Sequence, residues 1–207
     1  MYFYRIKDEH NRSPIEEFLD ALPAAEAQRV LWMLRLIEES EWMPAQYTYS
    51  HKKDETLWEF RINAEVQNYW VLAFKKNGHW ILFNADFSTR FQKAPKKEVK
   101  RAIDKKEGYA KSFHLLPVSD VHKYITVRKN RDEIFGRDFE KGYLHFKIGS
   151  LLRQIREAAE LSQKQVSKEI EVTAPAISKM ENHPEDTPLS ELEDYLKNLK
   201  NTLLRKN

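Results

Sequence analysis

With 207 residues, 41% hydrophobic and 12% aromatic, and only five glycines, the sequence has enough apolar material for two small cores and is not a low-complexity chain. The absence of cysteine excludes disulfides, thiolate nucleophiles and cysteine-based zinc or iron–sulfur sites. Charged residues make up 32% but sum to only +3, so partners must be read from where the charge sits.

In chain order, Tyr2 to Ile6 reads as a short strand. In "NRSPIEEFLDAL", Ser13 is placed to cap a helix, Pro14 to hold its first position and Glu16 to complete a capping box, with Phe18 and Leu19 facing inward. From Pro23 to about Ser40, the recurrence of Val30, Leu31, Leu34 and Ile37 predicts a second helix. The period then changes. In "LWEFRI", Trp58, Phe60 and Ile62 alternate with Leu57, Glu59 and Arg61, which predicts a strand. "NYWVLAFKK" and "HWILFNADF" read as two more, joined at Asn77-Gly78, a strong hairpin signal. An antiparallel sheet with helices on one face is expected, with Trp58, Phe60 and Phe83 in the core.

Residues 1–50 carry 5 Lys/Arg against 9 Asp/Glu, residues 51–112 carry 14 against 8, and residues 113–207 carry 16 against 15. Within the basic segment, residues 93–106 hold seven Lys/Arg and two acids and predict a final helix. Such an excess is the footprint of a phosphate-binding surface or of a solvated lysine-rich helix face. Residues 107–146 then join the halves without a Gly/Ser linker. "EGYAKSFHLLPVSD" marks the boundary region. Val121, Tyr124 and Ile125 follow at helical spacing, Asn130 and Glu133 give a capping-box pattern, and Phe135, Phe139, Tyr143 and Phe146 form an aromatic stripe.

In "IGSLLRQIREAAEL", Ile148, Leu151, Leu152, Ile155 and Ala159 fall on one helical stripe, expected to be buried. Ser162 with Gln165 opens a short helix whose Val166 and Ile170 face inward, and a tight turn follows at Glu171 and Val172. Thr173 can cap a third helix, with Pro175 in its first turn and Ile177 and Met180 pointing to the core. This leaves Thr173, Ala174, Ala176, Ser178 and Lys179 outward, small or polar as approach to base edges in a major groove requires. Gln163 and Lys164 are placed to donate to phosphate. A plain helical hairpin is the alternative.

The stretch "LSQKQVSKEIEVTAPAISKMEN" resembles the helix-turn-helix of the Cro/repressor (XRE) family, over roughly residues 146–200. The likeness implies operator double-stranded DNA as a partner. Glu171 stands where many members carry glycine. The third helix has one cation, so a lone copy should bind weakly and a homodimer on two half-sites more tightly.

In the first half, "SPIEEFLDALP", "LWEFRI", "YWVLAF" and "FSTRFQKAPKKEV" resemble stretches of the RelE/HigB superfamily of toxins, in its phage-derived HigB-like branch, over about residues 2–110. The resemblance implies an α+β protein: a RelE-like antiparallel sheet with packed helices, followed by the all-α helix-turn-helix domain. It also implies an enzyme, a ribosome-dependent endoribonuclease that cuts mRNA without a metal. Lys52, Lys53, Arg61, Arg90 and Lys93 match the family motifs as catalytic or RNA-positioning residues. Attack by the RNA's own 2′-OH needs proton transfer and stabilisation of a dianionic phosphorane, both within reach of cations held by a rigid sheet. Arg61, fixed by a strand, suits the transition-state charge. Arg90 and Lys93 suit neighbouring phosphates, and Lys52 and Lys53 suit proton transfer if nearby cations lower their pKa values. Phe87 or Phe91 could stack on a base, and His51 beside Lys52 could assist a proton. The seven histidines show no close ligand spacing, so no metal and no cofactor are expected. Two departures stand out: Trp70 where many relatives place arginine, and Ala85-Asp86 in place of a common His-Gly.

"RDFEKGY" is similar to the segment preceding the helix-turn-helix in HigA antitoxins, where it helps contact the toxin. The chain therefore reads as a toxin-like domain at 1–112, a connecting helical segment at 113–145 and a DNA-binding domain at 146–207. The function expected is a single-chain toxin–antitoxin, with the nuclease latent. Its inhibitory contact is made within the chain or swapped between chains, at an effective concentration that can reach the millimolar range. The alternatives are a DNA-binding regulator with an inactive toxin-like domain, toward which Trp70 and Ala85 point, and a protein–protein adaptor. "MYFYRIKDEHNR" lacks a signal-peptide core and no apolar run reaches about 18–20 residues, so a cytoplasmic protein without membrane partners is expected.

Overall fold

Side-chain alternation in the central strands builds a sheet with two different faces. The computed structural model describes residues 3–5, 13–40, 48–51, 54–63, 68–76, 78–88, 96–97, 99–100, 102–104 and 119–206. The chain divides into two compact units, Met1–Arg137 and Asp138–Asn207.

The first unit holds strands β1 (Phe3–Arg5), β2 (Thr48–His51), β3 (Asp54–Asn63), β4 (Asn68–Lys76) and β5 (His79–Ser88), in the spatial order β1-β5-β4-β3-β2. Strands β2 to β5 are antiparallel, and β1 joins β5 in parallel. At the hairpin Lys76 pairs with His79, and Gly78 takes φ 79°, a left-handed conformation open to glycine at little cost. The β4–β5 register slips between Leu72 and Ala73, leaving Phe83 as an extra residue on β5.

Helices α1 (Pro14–Ala21) and α2 (Ala24–Glu39) pack on β5 and β3. Their face of the sheet includes Tyr69, which Phe18 meets edge-on at 5.6 Å, and Trp80, which Phe60 and Trp58 meet edge-on at 5.1 and 5.5 Å. Val30, Leu31, Leu34 and Ile37 are all buried, as their spacing predicts. Helices do not keep to one face, however. Val99, Ala102 and Ile103, in a helical stretch of the basic segment, pack against Leu57, Trp70, Leu72, Phe74 and Ile81 on the other side. Leu57 is apolar at the head of the "polar" register of β3, and that position admits the second layer.

Three further helices bear on the sequence reading. In α3 (Asp120–Arg131), Ser119 is the cap, accepting from the Val121 N–H at 3.1 Å. In the short α4 (Glu133–Gly136) the cap is Asp132, which accepts from the Phe135 N–H at 2.9 Å; Asn130 lies inside α3 and caps nothing. Ser13 occupies the cap position of α1 by backbone conformation, but its buried hydroxyl makes no cap hydrogen bond, so the expected capping box is not formed. Both α3 and α4 pack on α2, and α3 also meets β1.

The second unit is all helical: α5 (Phe139–Ala158), α6 (Gln163–Glu169), α7 (Ala174–Asn182), a 3₁₀ turn (Pro184–Asp186) and α8 (Leu189–Lys206). Leu152, Val166, Ile177, Met180, Tyr195 and Leu199 form its core. The stripe predicted on α5 is only half right: Leu152 and Ala159 are buried, whereas Ile148 and Leu151 are exposed. Gly149 and Ser150 take the inner face instead, because α5 and α7 approach so closely that a Cβ on Gly149 would lie 2.3 Å from the Glu181 carbonyl oxygen. Among the described residues no helix is long and apolar enough to cross a membrane.

Candidate functional site

Each unit presents one candidate site. In the first, Arg61 lies on the face of β3 that also carries Leu57 and Glu59, opposite the face packed by α1 and α2. Its Nε donates to Glu59 Oε1 at 3.1 Å; Glu59 is fully buried, while the Arg61 side chain is 33% exposed. A strand-borne guanidinium oriented by a buried carboxylate is preorganised to donate to an anion, although that carboxylate also offsets its charge. Arg61 pairs in register with Trp70, and Trp70 with Asp86. Trp70, one of the two departures noted from the resemblance, is 2% exposed, and its indole N–H finds no acceptor among the described residues. The position thus supplies apolar packing rather than a second cation.

Lys52, Lys53, Arg90 and Lys93 lie outside the described residues, as does Phe91. His51 and Phe87 are described only as strand residues, opposite Asp54 and Tyr69. Of the five candidates for RNA chemistry, the structure therefore positions Arg61.

A second arrangement in this unit has no counterpart in the motif reading. Arg128 of α3 is buried; its guanidinium donates to the Leu19 carbonyl and, at 3.0 Å, to the Leu22 carbonyl, both at the C-terminal end of α1. It also stacks over Phe135 at 5.0 Å and meets the Tyr124 hydroxyl at 3.1 Å. Helix α1 has no basic residue in its last turn, so this cation from another element serves its free carbonyls and its dipole. Tyr124 donates to Asp20 at 2.5 Å, and Arg131 pairs with the same carboxylate. Burial first, then the hydrogen bond to Asp20, pushes the Tyr124 hydroxyl up to about 12. Ser119 donates to Glu38 of α2, and Gln28 of α2 donates to the Phe135 carbonyl at 2.6 Å. Residues 119–137 are thereby fastened to α1 and α2. Their sequence signal was one of three basic residues, Arg128, Lys129 and Arg131, in the last turn of an otherwise ordinary helix, which periodicity cannot single out.

In the second unit, Ser162 and Gln165 form the predicted capping box: Ser162 Oγ accepts from the Gln165 N–H at 3.3 Å, and the Ser162 N–H donates to Gln165 Oε1 at 2.8 Å. Thr173 Oγ1 accepts from the Ala176 N–H at 3.3 Å and caps α7. Thr173, Pro175 and Lys179 are exposed and Ala174, Ala176 and Ser178 half-buried, so α7 offers a low surface at its N-terminal end. Lys164 is exposed at the start of α6. Two candidates are otherwise engaged. Gln163 Nε2 donates inward to Glu181 Oε2 at 2.9 Å, and Lys179 Nζ reaches back to Asp186, 3.3 Å from its carbonyl and 3.9 Å from its carboxylate. The turn between α6 and α7 closes with Glu171 at φ 56° and the Val172 N–H donating to the Ser167 carbonyl at 3.0 Å, a left-handed helix end formed without glycine.

Glu181 is the hub that sets these helices. It is 3% exposed; Oε1 accepts from Arg156 Nε at 2.5 Å and the Tyr195 hydroxyl at 2.6 Å, and Oε2 accepts from Arg156 Nη2 at 3.1 Å, Arg153 Nε at 3.2 Å and Gln163. Four elements, α5, α6, α7 and α8, meet on one carboxylate. Burial by itself would raise its pKa, but the hydrogen bonds from Arg156, Tyr195 and Gln163, with the charge of Arg156, hold the carboxyl below its ordinary range. Burial and the Glu181 bond raise the pKa of the Tyr195 hydroxyl.

Residues 17–107 match a family model described as phage-derived protein Gp49-like (DUF891), and residues 147–196 match a helix-turn-helix domain model. No curated protein and no solved structure matches the chain.

Proposed function

The chain carries a Gp49-like domain of the RelE/HigB-like toxin family followed by a helix-turn-helix domain, and on that premise we propose that it is a single-chain toxin–antitoxin. In this reading the first unit is a latent, ribosome-dependent mRNA endonuclease, and the second is a HigA-like element that binds operator DNA and represses transcription from the cytoplasm. The observation that carries it is the succession of the two families on one chain. Arg61 on a rigid strand supports the nuclease half: an RNA 2′-hydroxyl gives up its proton and attacks the adjacent phosphorus, the bond to the 5′-oxygen breaks and that oxygen leaves with a proton, a 2′,3′-cyclic phosphate results, and the guanidinium stabilises the charge gathered on the non-bridging oxygens. Lys52, Lys53, Arg90 and Lys93 remain the residues proposed to move the proton and grip flanking phosphates. The low surface of Thr173, Ala174, Ala176 and Ser178, with Lys164 and Lys179 beside it, supports the DNA half. Gln163 then acts chiefly by fixing α6 through Glu181.

A second reading, a DNA-binding regulator whose toxin-like domain is inactive, is favoured by the pairing of Arg61 with buried Glu59 and by Trp70 in place of arginine. One experiment separates the two. A protease site placed at the Arg137–Asp138 boundary lets the full chain be cut in a ribosome-containing translation reaction. Cleavage of translated mRNA that begins only after the cut supports the latent nuclease. No mRNA cleavage before or after the cut, with the released second unit still binding DNA, would leave the regulator.

A further inference from the structure

Base edges in a major groove differ in their hydrogen-bonding atoms and in one apolar mark, the C5-methyl group of thymine. Guanine is met by arginine or lysine and adenine by asparagine or glutamine, side chains that reach two atoms of one base. On α7, Pro175, Ser178, Lys179 and Asn182 fall within one arc at helical spacing, opposite the buried Ile177 and Met180. Thr173, Ala174 and Ala176 complete the N-terminal end of the helix.

The side chains here that suit guanine or adenine are held within the fold. Asn182 Nδ2 donates to the Ser178 carbonyl at 2.8 Å and to Ser178 Oγ at 3.2 Å, while Asn182 Oδ1 accepts from Arg153 Nη2 at 2.6 Å. Gln163, at the start of α6, is turned to Glu181, and Lys179 reaches back to Asp186. The Thr173 hydroxyl is occupied as the cap of α7. What the first turn of α7 offers a groove is therefore the Thr173 methyl, the Pro175 ring and the methyls of Ala174 and Ala176. Of these, Thr173 and Pro175 are exposed and the two alanines half-buried. The surface is apolar at the end of the helix that approaches base edges in this motif. Lys164 and Lys168, both exposed on α6, suit phosphates, which position a duplex without reading its sequence.

We propose that α7 reads thymine through its C5-methyl group, packing Thr173, Pro175 and Ala176 on the methyls of A·T pairs in the site that this chain selects. The inference rests on the helix-turn-helix reading and adds to it the base that is recognised. A helix that read guanine through a cation would bind as well without thymine methyls. This one would not.

The test uses the full chain and a pool of random-sequence duplexes. Sites enriched by repeated binding are resynthesised with deoxyuridine in place of single thymidines, which removes the methyl and keeps every base-pair hydrogen bond. Gel-shift titration compares them for the native chain, for Thr173→Ser, which keeps the capping hydroxyl, and for Ala176→Gly. Circular dichroism checks that both variants fold. Burying one methyl is worth about fourfold in affinity, so uracil at a contacted thymine should weaken native binding about fourfold. In at least one of the two variants that penalty should vanish at the thymine its side chain meets and persist elsewhere. Enriched sites that bind equally well with uracil at every position overturn the proposal and leave the DNA-binding reading standing. A uracil penalty of the same size in the native chain and in both variants also overturns it, because the methyl then acts through duplex stiffness and not through contact. Failure to enrich any sequence removes the DNA-binding reading, and this proposal with it.

Discussion

Replacing Glu181 by alanine tests whether one carboxylate organises the helical unit. The substitution leaves Arg156, 8% exposed, with its guanidinium turned toward a site that has lost its acceptor, and frees the Tyr195 hydroxyl and the Gln163 amide as well. Removing one partner of a buried ion pair costs about 3–5 kcal/mol. At roughly 0.05–0.15 kcal/mol per residue, a unit of this size has ~3.5–10 kcal/mol in all. The variant should therefore lose a third or more of its stability, read as a lower urea midpoint and as faster amide exchange in α5 to α8, with the first unit unaffected. The same carboxyl has a pKa below its unfolded value, so its contribution is present above the unfolded pKa near ~4.3 and is lost as pH falls through the folded value. The native unit should accordingly loosen on acidification below about pH 4, and Glu181→Ala should show much less of that acid dependence. An unchanged urea midpoint, or an acid transition identical to the native one, would refute the reasoning.

Gly149→Ala should destabilise the second unit by more than about 1 kcal/mol despite alanine's better helix propensity, because its methyl would lie 2.3 Å from the Glu181 carbonyl and must part α5 from α7; thermal melting measures it. Glu171→Gly should act oppositely, stabilising by up to ~1 kcal/mol, since the φ of 56° costs a side chain more than glycine's added unfolded-state freedom; a raised urea midpoint is expected. Arg128→Ala should remove two charge-assisted bonds to α1 and cost about 2–4 kcal/mol, seen as hydrogen exchange in residues 120–136 rising toward that of a detached helix. Under the nuclease reading, Arg61→Ala should lower mRNA cleavage by the protease-released first unit at least ~100-fold; undiminished cleavage removes Arg61 from the mechanism.

Much of this fold was legible because its elements obey simple periods. The alternation in "LWEFRI", the hairpin glycine and the Ser162–Gln165 cap each depend on residues within a few positions of one another. The reading failed where a local pattern was overruled by a distant neighbour. Ile148 and Leu151 look like core residues until α7 comes close enough to require Gly149 and Ser150 on the inner face. Asn130 has the spacing of a cap, but α3 runs through it to Arg131 and Asp132 caps the next helix, while Arg128 in the same turn finds acceptors more than a hundred residues away. Nothing in "SKMEN" singles out Glu181, and only the folded arrangement brings Arg153, Arg156 and Tyr195 to it. For the candidate sites, family motifs offered residue identities, while the orientation of Arg61 by Glu59 and the inward turn of Gln163 are tertiary facts.

The fastening of residues 119–137 bears on how a latent nuclease could be held. Val121 and Tyr124 of α3 line a small pocket with Ile15, Leu19, Leu31 and Leu82, on the side of the sheet that carries α1 and α2. Arg61 belongs to the opposite side, with Leu57 and Trp70. A helix on the first side cannot screen a guanidinium on the second, so α3 and α4 do not inhibit by covering Arg61. What they do is complete the C-terminal end of α1, giving the Leu19 and Leu22 carbonyls a cation that α1 itself lacks. A toxin-like fragment ending at residue 112 would lose that cation and expose the apolar surface beneath Val121 and Ile125. The functional cut in this chain therefore belongs after Arg137, and an inactive shorter fragment would report a damaged α1 rather than an absent nuclease.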